Sequence, residues 1–346
     1  MAISKALFDL AVNKTNKQRD YSTGPLAKDS SMPILLDYTN QHPSDTRAQW
    51  THIKYLGHGG QGDVSKVQET SSGKQFARKA MRFTLWEDPV RDDEERERRE
   101  AIVREEVSIM QKLRHVHVAT VLFTVRERES FDFIMLPVAD KDLNSFLKDC
   151  SAKHFIATKR NLLPQWMGCL MNALAFAHEQ SIRHKDIKPG NILVKGDQVF
   201  LTDFGLAVDF TDADVSYTTN SFRGTFHYKA PESKIGNVHG RAADIFGLGC
   251  VFSEMLTVYR TKAVTDFDKE RRGDTYSEAN AFHLNMAEVK RWVLGLRGDA
   301  ISDFLVDVIL NMLQEDPQLR SKADELKDYF EKQELLCCDL CRTSRS

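Results

Sequence analysis

The sequence predicts an α+β protein of two lobes, a small antiparallel sheet followed by a larger, mainly helical body. The chain has 346 residues, which exceeds the size that one hydrophobic core usually serves. Short alternating apolar segments of the strand type fill residues 50–137, and the later pattern is mainly helical. We therefore expect lobes at 50–137 and 138–331, between an extension at 1–49 and a tail at 332–346.

Composition and charge narrow the class of protein and its partners. Apolar residues make up 41% of the chain and charged residues 28%, as in ordinary soluble globular proteins. The formal net charge of -2 creates no overall field that favours nucleic acid or an anionic membrane surface. No run approaches the roughly 18 consecutive apolar residues of a membrane span. We expect a cytoplasmic or nuclear protein with no nucleic-acid partner and no stable membrane insertion.

The segments on either side of the two lobes are expected to be extensions rather than domains. Residues 1–49 mix polar residues with Gly, Pro and Ser, which is typical of a flexible or surface-wrapping segment. The tail carries Cys337, Cys338 and Cys341. A Cys-x-x-Cys pair is half of a zinc site, but no second pair lies near it in the sequence. We therefore expect free thiols on a mobile end, with metal binding and palmitoylation as alternatives.

The stretch 182–205 gathers polar groups around one predicted hairpin. Its apolar runs 192–194 and 199–201 flank residues 195–198, whose Gly and Asp suit a tight turn. Polar residues that precede the first strand and follow the second should converge at one end of such a hairpin. These residues are Asp186, Lys188, Asn191 and Asp203.

A polar site of this composition suits phosphoryl transfer. That reaction needs charge neutralisation and an oriented hydroxyl more than covalent help. Oxygen ligands such as Asp203 and Asn191 suit Mg²⁺, which shares its coordination with substrate phosphates. Asp186 would take the proton of the attacking hydroxyl, and Lys188 would offset charge on the transferred group.

The same stretch resembles two motifs of eukaryotic protein kinases of the Ser/Thr type. Residues 184–191, His-Lys-Asp-Ile-Lys-Pro-Gly-Asn, resemble the catalytic loop, and Asp203-Phe-Gly resembles the metal-binding triplet. The resemblance covers roughly residues 50–330. It implies a two-lobed protein-kinase-like fold with a helix C in the small lobe, ATP and Mg²⁺ as cofactors, and protein substrates with Ser or Thr acceptors.

The small lobe carries the residues that the resemblance assigns to the nucleotide. Residues of the strand type follow the Gly-rich stretch 57–62. This pattern favours a β-hairpin that covers the nucleotide, rather than the dinucleotide-binding loop, which is followed by a helix. Lys79 matches the lysine that holds the α- and β-phosphates. Glu106 matches its carboxylate partner on helix C, with Glu105 as the alternative if the register slips by one. The other expected nucleotide contacts are Leu56, Gly57, Gly59, Gly62, Val64, Ala77, Met135, Leu136, Val138 and Leu193.

The large lobe carries the expected anchoring and peptide-binding residues. Thr225, within the stretch 224–232, matches the threonine that bonds the catalytic loop in Ser/Thr kinases. Asp244 matches the buried aspartate that anchors the catalytic loop from below. Arg320 matches an arginine of the C-terminal part of the family, where it pairs with the residue at Glu232.

One residue of the catalytic loop departs from the family pattern. Lys185 replaces the arginine that usually precedes the catalytic aspartate, and lysine offers a phosphate a point charge rather than a planar fork. We therefore expect activity to depend only weakly on phosphorylation of the nearby hydroxyl residues, so that it survives phosphatase treatment. These residues are Ser216, Tyr217, Thr218, Thr219 and Ser221.

Two other functions remain open at this point. A pseudokinase or scaffold would keep the fold for binding only, but Lys79, Asp186, Asn191 and Asp203 are all present, which argues against it. A small-molecule kinase is less favoured because the stretch 224–232 resembles the peptide shelf of protein kinases.

Overall fold

A computed structural model describes residues 50–59, 62–82, 111–126, 130–204, 226–234, 240–272, 280–333 and 335–343. Several expectations fall outside these residues. The extension 1–49, helix C with Glu105 and Glu106, and the segment 205–225 with Thr225 belong to this group.

The small lobe is a five-stranded antiparallel sheet in the order β1-β2-β3-β5-β4. Side chains alternate between the two faces of a strand, so each face builds its own apolar layer. One face forms a small separate core around Phe76 and Ile134, and Ala77, Phe133 and Met135 on the other face join the main core. The strands are β1 (Trp50–Gly59), β2 (Gly62–Glu69), β3 (Gln75–Arg82), β4 (Thr120–Arg126) and β5 (Ser130–Leu136).

The large lobe combines a small three-stranded sheet with nine described α-helices. Asp142 caps the helix that begins at Leu143 by accepting a hydrogen bond from the N–H of Ser145, and Asp299 caps the helix that begins at Ala300 in the same way through Ser302, each at 2.8 Å. The strands are β6 (Lys141–Asp142), β7 (Ile192–Lys195) and β8 (Gln198–Leu201). The helices are α1 (Leu143–Ala152), α2 (Ala157–Arg160), α3 (Leu163–Glu179), α4 (Arg241–Tyr259), α5 (Val264–Arg272), α6 (Met286–Leu294), α7 (Ala300–Met312), α8 (Ala323–Glu331) and α9 (Asp339–Thr343).

The centre of the large lobe consists of α3 and α4. Apolar residues occur on every side of both helices, as expected for helices surrounded by protein. In α3 the residues from Leu163 to Ala175 are all buried except Gln165. In the sequence, residues 162–178 are apolar on most sides, which predicts a buried helix, and the structure confirms it to within one residue at each end.

Among the described residues, α4 is the one helix long and apolar enough to cross a membrane by length and composition, with a mean hydropathy of 1.3. Within α4, 83% of the 18-residue stretch that meets this criterion is buried inside the protein, as happens in core helices. Asp244 and Glu254 interrupt its apolar sequence. Length and composition therefore give only weak evidence for a membrane span here.

The tail packs against the body, so the expectation of thiols on a mobile end is wrong for residues 335–343. Leu336, Cys337 and Cys341 are each 2% exposed and belong to the main core. The physical reason is the apolar content of this short segment, which is buried against α3. None of the six cysteines forms a disulfide.

Arg320 ties the end of the large lobe to the stretch 231–234. Its guanidinium donates to both carboxylate oxygens of Glu232, at 2.6 and 2.8 Å. It also donates to the backbone carbonyls of Ala242, Gln314 and Glu315. The side chain of Arg320 is fully buried, and the pairing expected from the sequence is confirmed.

Replacing Arg320 by alanine should lower the free energy of unfolding by about 3–5 kcal/mol, because the carboxylate of Glu232 and three carbonyls lose their donor. Chemical denaturation measures the change. Arg291→Ala is the matched control. Its side chain is 65% exposed in its pair with Glu270, and its loss should cost about 0–1 kcal/mol. Equal costs for the two variants would contradict the assigned role of Arg320.

Candidate active site

The predicted hairpin at the centre of the site is confirmed. β7 and β8 pair antiparallel from Ile192↔Leu201 to Lys195↔Gln198. Gly196 in the turn has a φ of +59°, a conformation that glycine adopts without steric cost. At the other end, the N–H of Thr202 donates to the carbonyl of Asn191 at 3.1 Å. The residues before β7 and after β8 therefore lie together.

Asp186, Lys188 and Asn191 form one hydrogen-bonded group at this end of the hairpin. The Nζ atom of Lys188 donates to Oδ2 of Asp186 at 2.6 Å. The Nδ2 atom of Asn191 donates to the same oxygen at 3.0 Å and to the backbone carbonyl of Asp186 at 2.8 Å. Two donors on Oδ2 fix the plane of the Asp186 carboxylate.

Asp203 meets Lys79 of β3 across the junction of the two lobes. The Nζ atom of Lys79 donates to Oδ1 of Asp203 at 2.8 Å, although the two residues are 124 positions apart. The side chain of Lys79 is 5% exposed and that of Asp203 is 24% exposed. Burial alone would raise the pKa of Asp203, but the charge and hydrogen bond of Lys79 outweigh it and lower the pKa below its ordinary value. Asp203 is therefore an ionised oxygen donor at neutral pH.

The backbone beneath these groups is held in an uncommon conformation. Lys185 has a φ of +68° and Asp203 a φ of +63°, a region that non-glycine residues rarely occupy. Asp244 of α4 holds the first of these turns. Its carboxylate accepts the N–H groups of His184 and Lys185, both at 2.8 Å. It also pairs with Nε2 of His178 at 2.9 Å.

His184 and Phe204 fill the space between the loop 184–191 and the end of the hairpin. Their rings lie 4.6 Å apart between centroids, and both side chains are buried. Burial lowers the pKa of His184, so this imidazole is neutral at neutral pH. It acts as a packing element under Asp186 and Asp203.

The residues expected to contact the nucleotide fall on β1, β2, β3 and β5 of the small lobe, just after β5, and on β7. Ala77 of β3 pairs in register with Met135 of β5, and both are buried. Gly59 and Gly62 are register partners where β1 and β2 turn, and Gly62 has a φ of +143°. Lys79 lies in register between Val64 and Phe133. The others described are Leu56, Gly57, Leu136, Val138 and Leu193, of which Leu56 is the most exposed.

The donor set fits the cofactors that the resemblance implies. A buried lysine beside an ionised carboxylate suits a polyphosphate that carries a cation. Asp203 offers carboxylate oxygens, and Asn191, whose Nδ2 is committed to Asp186, keeps its amide oxygen for a cation. Hard oxygen ligands of this kind favour Mg²⁺.

Two contacts behind the site were not predicted from the sequence. One is the pairing of His178 with Asp244, which only the packing of α3 on α4 creates. The other joins the stretch 226–234 to α4, where the hydroxyl of Tyr228 donates to Oε1 of Glu254 at 2.8 Å. The sequence offered only a weak signal for these contacts, namely the two carboxylates Asp244 and Glu254 within the otherwise apolar helix α4.

The chain thus has a sheet lobe and a mainly helical lobe, and Lys79 and Asp203 meet where the two lobes join. The sequence matches the protein kinase domain family over residues 50–330, and the chain belongs to that family.

Several similar proteins are named as protein kinases. Mitogen-activated protein kinase kinase kinase 2 of Arabidopsis thaliana is 28% identical over 283 residues, which is 80% of this chain and 40% of the relative. A serine/threonine-protein kinase of Drosophila yakuba is 25% identical over 94% of this chain and 40% of its own length. One of Drosophila simulans is 25% identical over 87% and 38%. The chain thus spans about 40% of the length of these relatives.

Glu254 should make stability depend on pH. Burial raises its pKa to about 7 from an ordinary value of 4.5, against the opposing charge of Arg271. The folded state therefore holds the proton more tightly. The resulting stabilisation is complete below pH 4.5 and is lost as the pH rises through about 7.

Urea unfolding at pH 5 and pH 8 tests this effect. The wild-type free energy of unfolding, taken relative to Glu254→Gln, should fall by up to about 3 kcal/mol between these two pH values. Glu315→Gln is the control, since that side chain is 62% exposed, and it should follow the wild type. If the difference between wild type and Glu254→Gln did not change with pH, the raised pKa would be refuted.

Proposed function

We propose that this chain is a protein serine/threonine kinase, which transfers the γ-phosphoryl group of ATP to Ser or Thr hydroxyls of protein substrates. The observation that carries the proposal is the 2.8 Å contact of Lys79 with Asp203 at the end of the hairpin where Asp186, Lys188 and Asn191 are bonded together. Phosphoryl transfer depends on positioning and charge neutralisation, and these groups offer both. The names of the Drosophila relatives support the Ser/Thr class of acceptor.

Asp186 is the proposed base for the attacking hydroxyl. Lys188 and Asn191 both donate to its Oδ2 atom, so Oδ1 is the oxygen that we assign to the hydroxyl proton. Lys188 also places a positive charge where the transferred phosphoryl group would carry negative charge. Asp244 accepts hydrogen bonds from the two backbone N–H groups that precede Asp186. These bonds restrain the position of Asp186.

Lys79 and Asp203 are the proposed nucleotide-holding pair. Lys79 would bind the α- and β-phosphates, with Glu106 as its expected partner outside the described residues. Asp203 and Asn191 would hold Mg²⁺, which, when bound, neutralises charge on the phosphate oxygens. Ala77 and Met135 would cover the adenine, and the carbonyl of Leu136 and the N–H of Val138 would bond its edge.

A cytoplasmic or nuclear location is part of the proposal and is supported by six cysteines without a disulfide.

Asp186→Asn tests the central role. Asparagine keeps the shape and the acceptor oxygen but cannot take a proton, so transfer of labelled phosphate to a generic protein acceptor should fall by about 10²–10⁴-fold. ATP binding should not change. Asp197→Asn is the matched control. Asp197 lies in the turn at the opposite end of the same hairpin, with a side chain 74% exposed, and its variant should keep the wild-type rate.

Each other outcome has a definite meaning. A wild-type rate in Asp186→Asn would refute the base assignment. If the wild-type chain bound ATP but transferred no phosphate to any acceptor, the chain would be a pseudokinase. Transfer to small hydroxyl compounds alone would identify a small-molecule kinase.

A further inference from the structure

Four metal-binding side chains from three distant parts of the chain meet on the side of α3 that faces the tail. His117 precedes β4, Cys169 lies in α3, and Cys338 and Cys341 belong to the tail. Their ligand atoms all lie within 4.8 Å of one another. The Nε2 atom of His117 is 3.1 Å from the sulfur of Cys338. The tail residues Cys338 and Cys341 thus lie beside two further metal-binding side chains that are remote in sequence.

We propose that His117, Cys169, Cys338 and Cys341 bind one Zn²⁺ ion in a closed structural site. Three thiolates and one imidazole are a common ligand set of tetrahedral zinc. With Zn–S distances of about 2.3 Å and a Zn–N distance of about 2.0 Å, ligand atoms at the corners of the tetrahedron are about 3.5–3.8 Å apart. The observed span of 4.8 Å or less allows this geometry with only small side-chain shifts.

The orientation of His117 is the second observation that supports a ligand. Its Nδ1 atom lies 2.8 Å from the backbone carbonyl of Val199. A carbonyl only accepts hydrogen bonds, so Nδ1 is the donor to Val199, and Nε2 is the ring nitrogen that faces the sulfurs. Metal-binding histidines in proteins are usually held in this way by a bond from the other ring nitrogen. The side chain of His117 is buried, with 2% exposed.

The tail is seated closely enough on α3 to hold its two ligands in place. A Cβ atom added at Gly168 would lie 1.7 Å from the carbonyl oxygen of Leu336, so the tail backbone rests directly on the glycine that precedes Cys169. The Nη2 atom of Arg342 donates to the carbonyl of Cys337 at 3.0 Å. Cys338 directly precedes α9 and Cys341 lies within it, so this short helix brings the two sulfurs together.

Burial and ligand number indicate a structural role for the ion. All four positions of a tetrahedron are taken by protein side chains, whereas a catalytic zinc keeps one position open. His117, Cys169 and Cys341 are buried, and the partly exposed Cys338 offers a path of entry. Cys338 and Cys341 lie beyond residues 50–330, which match the kinase family, so the site is an addition to the family fold.

The ion would join the tail to the strand that leads into Asp203. The carbonyl of His117 accepts the N–H of Leu201 at 2.8 Å, and its ring bonds Val199. Both partners lie in β8, which ends two residues before Asp203. The proposal does not depend on kinase activity, since it concerns metal content and stability.

Metal analysis of the purified full chain tests the proposal. After gel filtration without chelator, mass spectrometry of the metal content should find about one zinc per wild-type chain. Cys338→Ala and Cys341→Ala should each lose at least nine-tenths of it. Cys337→Ala is the matched control, because Cys337 is a buried tail cysteine outside the set of four, and it should keep its zinc. Loss of zinc in this control as well would overturn the ligand assignment.

Two measurements on the wild type keep the test valid if the variants fail to fold. The chain refolded with Co²⁺ should show thiolate-to-cobalt charge-transfer bands and the visible absorption of a tetrahedral site. A zinc chelator should lower the melting temperature of the wild type, and added Zn²⁺ should restore it. A wild-type chain that contains no zinc and shows no such spectrum, or peptide mapping that finds a Cys338–Cys341 disulfide, would overturn the proposal.

Discussion

The carboxylate of Asp244 is the constraint on which the rest of the site depends. It is 3% exposed, and burying a carboxylate costs several kcal/mol unless donors surround it. Its donors are the N–H groups of His184 and Lys185 and the ring of His178. This requirement joins α4, α3 and the loop 184–191. It also keeps Lys185 at a φ of +68°, which otherwise costs about 1–2 kcal/mol, and so aims the next residue, Asp186, at the hairpin.

The hairpin β7–β8 is held at several points along its length. At one end Asp203 meets Lys79 from the small lobe, and Asn191 is bonded to Asp186. Along β8, His117 bonds Val199 and Leu201 from the segment before β4. These contacts come from both lobes. A change that loosened the segment around His117 would therefore alter the position of Asp203, because the short strand β8 connects the two.

Local features of the sequence were enough to predict the hairpin, the strand-rich small lobe and the buried helix α3. Alternation, turn residues and apolar periodicity are short-range signals, and the structure follows them. The resemblance supplied what spacing alone could not, such as the pairing of Arg320 with Glu232. Only the Cys338-x-x-Cys341 half of the proposed zinc site could be recognised from the sequence, because the other ligands lie far away along the chain; His117 and Cys338 are 221 residues apart. The raised pKa of Glu254 depends on burial among α4, Tyr228 and Arg271, which no local pattern shows.

Calorimetric titration with ATP tests most directly whether Lys79 and Asp203 serve one metal-bound nucleotide. The wild-type chain should bind ATP more tightly with Mg²⁺ than without it, because in the proposed arrangement Asp203 would contribute an ionised oxygen to the cation. Asp203→Asn should lose that dependence on Mg²⁺, and Lys79→Met should weaken binding in both conditions. Absence of ATP binding by the wild type, or an undiminished Mg²⁺ dependence in Asp203→Asn, would contradict the assignment.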